Sequence, residues 1–396
     1  MIKIEPKTLK GFRDFLPNDA RKRQYVISIL RQIYESYGFE PLETPTLEYE
    51  EILAGKYGDE GDKLMYRFTD NGKRKVAMRY DQTVPLARVA AQYKNTLPFP
   101  FKRYQIQNVW RAENTQKGRF REFLQCDIDT IGESSIGCDA EILSIIDKCL
   151  STLGFNEYKI RINDRATFEG LDTKAILIID KLKKIGEEGV KKELAANGFD
   201  ENVLEKIQSK KPTQLISIIL NNFVGSAIIY DPTLARGLDY YTGIIIEVEI
   251  PGFEAGSVGG GGRYDGLIGM FGNENVPAVG FAFGFDRLLE AMEEKKLFPQ
   301  LTTSNVLITV PSPNLENNAY KIASRLRSDN INCEVYLNNS APLEKQFKYA
   351  EKKNIPYTVI PIDNETLELR TKSEKGNIEK EKMRIDQLTD LFRYSK

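Results

Sequence analysis

Residues 110–129, WRAENTQKGRFREFLQCDID, decide how the rest of the chain is read. In the second half Arg121, Phe123, Gln125, Asp127 and Asp129 recur at every second position, so an extended strand sets all five on one face. Leu124, Cys126, Ile128 and Thr130 then share the other. Such alternation describes a strand at a sheet edge facing water as well as one whose polar face lines a site. Immediately upstream, FKRYQIQNVWR (101–111) reads as a second strand with Arg103, Gln105, Gln107, Val109 and Arg111 on one side. The loop ENTQKGRFR (113–121) joins the two into a hairpin. Its charges cannot enter an apolar core, so they meet water or an anionic partner.

Toward the N-terminus, KVAMRY (75–80) pairs with LMYRFT (64–69) across Asp70-Asn71-Gly72, a strong hairpin turn. Continued at a period of two, Arg79, Asp81 and Thr83 share a face, and a helix is expected from near Pro85. The stretch FEPLETPTLEYEEIL (39–53) carries two prolines, which suit a sheet edge or an interface. Before it, Tyr25, Ile29, Ile33 and Tyr34 have helical spacing over 19–37.

Toward the C-terminus a helix is expected over 138–153 and a strand at YKIRIND (158–164). From about Ala166 to Gly225 the chain becomes a series of Lys/Glu-rich helical segments, which reads as an insertion. Next, Ile244, Ile246, Val248 and Ile250 form the apolar face of a strand, with Tyr241, Gly243, Glu247 and Glu249 opposite. Gly259 to Gly262, running into Arg263, Tyr264 and Asp265, fit either a flexible loop or backbone kept bare for close approach of a ligand. VPAVGFAFGFDRLLEAM (276–292) reads as a buried strand turning into a helix near Gly284. After a linker at 298–304, strands and helices alternate through 305–362, as in a small α/β domain with a mostly parallel sheet. Its second helix sets Lys345, Lys348 and Lys352 opposite Leu343, Phe347 and Ala350, a stripe suited to solvent or to RNA phosphates.

Composition narrows the chemistry. At 396 residues two or three domains are expected, and 56 Lys+Arg against 57 Asp+Glu exclude a polybasic mode of nucleic-acid binding. Four cysteines without CxxC spacing signal neither a zinc site nor a disulfide framework. Histidine is absent, which removes His-based triads, general bases and metal ligands. The N-terminus lacks the apolar core of a signal peptide, so a cytoplasmic protein is expected. There is no GxxxxGK[ST] loop and no GxGxxG after a strand, so any bound nucleotide is gripped by arginines, of which Arg111, Arg119, Arg236 and Arg287 are suitable. Arg287 also falls in the first turn of its helix, where backbone N–H groups favour anions.

Five segments together, KGFRDFLP (10–17), the hairpin at 110–127, ARGLDYYTG (235–243), GGGGRYDGL (259–267) and VGFAFGFDRLL (279–289), closely resemble the histidyl-tRNA synthetase family of class II aminoacyl-tRNA synthetases. The resemblance extends to the end of the chain, and Pro45 matches a proline at the family's dimer interface. It implies an α+β catalytic domain built on a six-stranded antiparallel sheet, in two parts (1–165 and 229–303), around a helical insertion (166–228), followed by an α/β anticodon-binding domain (304–396). The implied activity is histidine–tRNA ligation: ATP with Mg2+ activates histidine to an adenylate, and the acyl group passes to tRNA(His).

Carried over residue by residue, Arg111 holds the α-phosphate and Glu113 the adenine amino group, Phe123 stacks on adenine, and Arg119 and Arg287 meet the outer phosphates. Arg236 is the implied catalytic arginine. Asp81, Thr83 and Gln125 match partners of the α-amino group, and Asp129, Tyr241 and Tyr264 those of the imidazole. No metal ligand is assigned, Mg2+ being expected on the ATP phosphates. The resemblance also implies a homodimer. Asn114 and Thr115 stand where many members have arginine and proline. The rival is a non-catalytic paralogue, the regulatory subunit of ATP phosphoribosyltransferase, which shares the fold but tends to lose the phosphate arginines and the last domain.

Overall fold

The computed structural model describes residues 4–115, 118–222, 227–236, 241–272, 274–372 and 378–394. It divides into two compact units, Met1–Phe298 and Pro299–Lys396. In the first unit the strands are β1 (Glu40–Pro41), β2 (Leu47–Tyr49), β3 (Arg67–Thr69), β4 (Lys75–Met78), β5 (Phe101–Trp110), β6 (Glu122–Ile131), β7 (Lys159–Asp164), β8 (Ile228–Tyr230), β9 (Ile244–Glu249), β10 (Gly259–Arg263) and β11 (Ala278–Gly284). Its helices are α1 (Pro17–Ser36), α2 (Glu50–Leu53), α3 (Gly58–Lys63), α4 (Thr83–Gln92), α5 (Ile136–Thr152), α6 (Thr173–Ile179), α7 (Leu182–Ala196), α8 (Val203–Gln208), α9 (Gln214–Asn222) and α10 (Phe285–Glu294).

The hairpin read from the sequence is the long antiparallel pair β5–β6, in register from Phe101 opposite Ile131 to Trp110 opposite Glu122. Neither strand is an edge, because the sheet runs β1-β5-β6-β11-β10-β9-β7-β8. Its inner six strands are antiparallel throughout. The expected six-stranded antiparallel sheet is therefore corrected to a mixed sheet of eight: β1 lies parallel outside β5, and β8 parallel outside β7. Pro41 in β1 leaves only a two-residue pairing, as a proline at a sheet edge allows. β2, β4 and β3 form a separate small sheet.

One face of the large sheet is the core. Leu124, Cys126 and Ile128 of β6 pack with Val279, Phe281 and Phe283 of β11 and Ile244, Ile246 and Val248 of β9 under the buried sides of α1, α5 and α10. Each such Ile or Leu is worth about 2–5 kcal/mol against alanine. Because strand side chains alternate, burying this set turns Gln125, Asp127 and Asp129 to the opposite face.

The glycine run is a central strand and not a loop. β10 is buried along its length and pairs with β9 on one side and β11 on the other. Bare backbone suits that place: a Cβ on Gly260 would collide with Arg236 and one on Gly280 with Asp129. Helices α6 to α8 share a cluster around Ile176, Ile179, Val190 and Leu194, which also takes in Ile245 from β9, whereas Ile216 and Ile219 of α9 pack into the main core with α5 and β7.

The period-two face expected for Arg79, Asp81 and Thr83 does not exist. β4 ends at Met78 and Thr83 already begins α4. Asp81 instead accepts the Val84 N–H in the first turn of that helix, at 3.1 Å. Arg79 buries its guanidinium against the carbonyls of Thr44 (2.6 Å) and Asn108 (2.7 Å).

The second unit contains β12 (Val306–Ile308), β13 (Cys333–Val335), β14 (Tyr357–Pro361), β15 (Thr366–Lys372) and β16 (Ile378–Arg384), with helices α11 (Glu316–Ser328), α12 (Leu343–Lys352) and α13 (Ile385–Tyr394). β13, β12 and β14 are parallel, as read from the sequence, but β15 and β16 extend the sheet antiparallel. Lys345, Lys348 and Lys352 are exposed on α12, opposite buried Gln346 and Ala350.

Candidate active site

A cavity of about 350 Å³ opens over the polar face of β6, β11 and β10. All twelve residues singled out in the sequence line it: Asp81, Thr83, Arg111, Glu113, Arg119, Phe123, Gln125, Asp129, Arg236, Tyr241, Tyr264 and Arg287. They arrive from β6, α4, the hairpin loop, the segment before β9, the end of β10 and the start of α10. Gly237 to Tyr240, part of the ARGLDYYTG segment, lie outside the described residues, as do Gln116 and Lys117 of the hairpin loop.

The floor is acidic and deeply buried. Asp129 shares its two oxygens between the Tyr264 hydroxyl, which donates to Oδ1, and the Arg103 guanidinium, 2.7 Å from Oδ2. Arg103 has no exposed surface and stands directly across the β5–β6 ladder from Asp129. Asp81 Oδ1 accepts from the Tyr57 hydroxyl at 2.9 Å as well as from the Val84 N–H. Burial raises the carboxyl pKa of Asp81, Asp127 and Asp129 above the usual range; the hydrogen bonds from Val84 and Tyr57 oppose the rise at Asp81, and the positive charge of Arg103 opposes it at Asp127 and Asp129. The Tyr264 hydroxyl is likewise pushed well up by burial and then by Asp129, so it remains a proton donor.

The mouth is cationic. Arg111 donates to the Tyr80 carbonyl at 3.1 Å, and its guanidinium carbon lies 4.4 Å from the Tyr80 ring centre and 5.2 Å from that of Phe123. Arg119 lies 3.4 Å from Glu113. Arg236 is held by Glu247 at 3.0 Å and Ser257 Oγ at 3.3 Å, and Arg287 donates to the Ser257 carbonyl at 3.1 Å. Burial first, and then repulsion from Arg119 and Arg236, lower the Arg287 pKa. Like charges gathered this closely favour an anion between them. One end of the cavity therefore suits hydrogen-bond donors and cations, and the other a polyanion.

Reading by residue type missed four participants. Asp127 and Arg103 were visible on the polar faces of their strands, but only the register sets Arg103 against Asp129 and Gln105 against Asp127. Glu247 was visible on the polar face of its strand and Ser257 beside the glycine run, but only the fold brings them to Arg236 and Arg287. Among the described residues no three carboxylate or thiol side chains converge as a metal site.

Comparison with known proteins identifies the family. The sequence model of histidyl-tRNA synthetase matches residues 11–185 and 169–288, and that of an anticodon binding domain matches 305–394. A histidine–tRNA ligase of Christiangramia forsetii is 38% identical, covering 95% of this chain and 97% of its own. That of Treponema denticola is 40% identical over 89% of this chain and 88% of its own. Among solved structures, a histidyl-tRNA synthetase from Nostoc sp. PCC 7120 superimposes with a TM-score of 0.85 at 29% identity, covering 99% of this chain and 100% of that one. A Bacillus halodurans protein described as an ATP phosphoribosyltransferase regulatory subunit/histidyl-tRNA synthetase, at 20% identity and a TM-score of 0.73, shares the fold. With a class II catalytic domain, an anticodon-binding domain and this sequence similarity along nearly its whole length, the chain belongs to the histidyl-tRNA synthetase family.

Proposed function

We propose that the cavity holds histidine on its acidic floor and ATP at its arginine-lined mouth, and joins them as histidyl-adenylate with release of pyrophosphate. The histidyl group then passes to the 3′ end of tRNA(His). Membership of the family makes the chain an aminoacyl-tRNA ligase, specifically a histidine–tRNA ligase. The observation that carries the site assignment is the polarity of this cavity: buried carboxylates and phenols at one end, four arginines at the other.

In this reading Asp81, Thr83 and Gln125 take the α-amino group, while Asp129, Tyr241 and Tyr264 read the ring nitrogens. A site built from buried partners rejects analogues that lack the matching groups by roughly 10⁴–10⁵. Arg111 takes the α-phosphate, Glu113 the adenine amino group, Phe123 the face of the base, and Arg119 with Arg287 the outer phosphates. Arg236 exchanges Glu247 for the α-phosphoryl group, whose pentacoordinate transition state gathers the charge that fixed cationic donors stabilise best. The histidine carboxylate is already an anion at neutral pH and serves as the nucleophile without a protein base. Mg2+ is taken to travel with ATP, and no step is assigned to it.

On this reading residues 304–396 bind the anticodon, with the lysine face of α12 toward RNA phosphates, and 166–228 form an insertion in the catalytic domain. The chain acts as a cytoplasmic homodimer, with the extended segment around Pro45 at the interface. No helix among the described residues is long and apolar enough to cross a membrane. The paralogue reading is disfavoured because Arg111, Arg119, Arg236 and Arg287 are all present and an anticodon-domain match spans residues 305–394. Histidine-dependent exchange of pyrophosphate into ATP tests the proposal. A folded sample supplied with Mg2+ that shows no exchange would sink it.

A further inference from the structure

The floor of the cavity carries one acidic group that the assignments above leave without a task. Asp127 stands on β6 between Gln125 and Asp129, is 2% exposed, and lines the cavity. Its Oδ1 is buried and has no hydrogen-bond donor, and the same holds for the neighbouring Gln125 Oε1. The other two carboxylates are already engaged by the protein: Asp129 by Tyr264 and Arg103, Asp81 through Oδ1 by Tyr57 and the Val84 N–H.

A buried acceptor without a donor is costly, and a carboxylate more so, unless something supplies the missing hydrogen bonds. What is missing here has a definite chemistry. Two acceptors two residues apart on one strand face lie about 7 Å apart at the backbone and converge only on a group with several donors. An ammonium has three donors and no acceptor. The nearby guanidiniums do not fill this place: Arg103 lies against Asp129, Arg79 donates to the Thr44 and Asn108 carbonyls and Arg111 to the Tyr80 carbonyl, so an ammonium would be the first charged donor to reach Asp127 Oδ1. The sheet leaves room above Asp127, because its partner on β11 is Ala282, flanked by Gly280 and Gly284.

We infer that Asp127 is a specificity-determining residue for the amino acid, its Oδ1 and Gln125 Oε1 together receiving the α-ammonium group that Asp81 holds from the other side. The inference rests on the reading of this cavity as a histidine site and adds a second carboxylate to it. Asp127 then acts on the ammonium and not on the ring, which is left to Asp129 and its partners. Asp127 Oδ1, which accepts no hydrogen bond from the protein, then gains its donor when histidine binds.

The test compares two ligands that differ only in the ammonium: histidine and its deamino analogue 3-(imidazol-4-yl)propanoate, with affinities measured by calorimetry on the full chain. Wild type is expected to prefer histidine, and Asp127→Asn to reduce that preference about 10- to 100-fold, the weight of one charge-assisted hydrogen bond. Asp127→Asn is also expected to melt at a higher temperature than wild type without ligand and to gain less on adding histidine, the opposite of what loss of a structural contact does. Asp127→Glu, which keeps the charge, should retain most of the preference. An unchanged preference in Asp127→Asn overturns the inference, as does a change confined to ligands altered in the ring. Failure of wild type to bind histidine at all overturns instead the reading of the cavity on which the inference stands.

Discussion

Replacing Arg103 by leucine tests whether the amino-acid end of the cavity is held together electrostatically. Arg103 has no exposed surface; its guanidinium lies 2.7 Å from Asp129 Oδ2 and 3.3 Å from Gln105 Oε1. It is also the main charge opposing the rise in the carboxyl pKa of both Asp127 and Asp129. Leucine fills part of the space but leaves two carboxylates buried beside each other without the guanidinium that pairs with Asp129. Removing one partner of a buried pair costs about 3–5 kcal/mol.

The loss depends on pH, because the orphaned carboxyls escape by taking up a proton. Both carboxyl pKa values are already raised in the folded protein, and without Arg103 they rise further. In the window between the unfolded value, near 4, and the raised folded value, the folded state binds more protons than the unfolded one, so stability falls as pH increases. The deficit of Arg103→Leu relative to wild type is therefore largest near pH 8 and shrinks toward about pH 5. Urea unfolding of the two proteins at both pH values measures it. Adding Asp129→Asn should recover part of the loss, since deleting both partners leaves less unpaired charge than deleting one. If Arg103→Leu unfolds within about 1 kcal/mol of wild type at both pH values, the electrostatic account of the floor is wrong.

Three further outcomes are expected. In Gly280→Ala the new Cβ would meet the Asp129 carboxyl and lie 2.8 Å from the Ile128 carbonyl, so the KM for histidine in pyrophosphate exchange should rise at least about 100-fold with the KM for ATP little changed; equal effects on both would point to general misfolding. Arg236→Ala should slow adenylate formation in a single turnover by about 10²–10³ while leaving assembly and the fold intact, and a near-normal rate would refute its role at the α-phosphate. Because the chain contains no histidine, its synthesis should persist under histidine starvation longer than that of a variant carrying several histidine codons, and equal output from the two would count against any advantage.

Much of the cavity was legible because strand geometry is strict. Once Leu124, Cys126 and Ile128 are buried, a period of two leaves Gln125 and Asp129 no choice of face. The same rule misled at Arg79, Asp81 and Thr83, where β4 ends at Met78 and a turn into α4 re-aims each side chain. The strand character of Gly259 to Gly262 could not be read locally. Glycine has no side chain to display a pattern, and only pairing with β9 and β11 makes that run a strand. The hairpin β15–β16 went unread for a related reason: β16 is largely charged and exposed, IEKEKMR, and offers no apolar period.

By itself the sequence determined the chemistry available to this protein: no histidine, no GxxxxGK[ST] loop, four arginines of the kind that grip phosphates, and a strand with carboxylates and an amide on one face. These follow from residue type and from spacing along one segment, which short-range geometry converts into faces. The tertiary structure alone decided which of those groups meet. It set Arg103 against Asp129 across a ladder, parked Arg236 on Glu247, and buried Asp127 Oδ1 without a donor from the protein. Contacts between residues distant in sequence depend on register and on what fills the space opposite, and in residues 110–129 no local pattern carries that information.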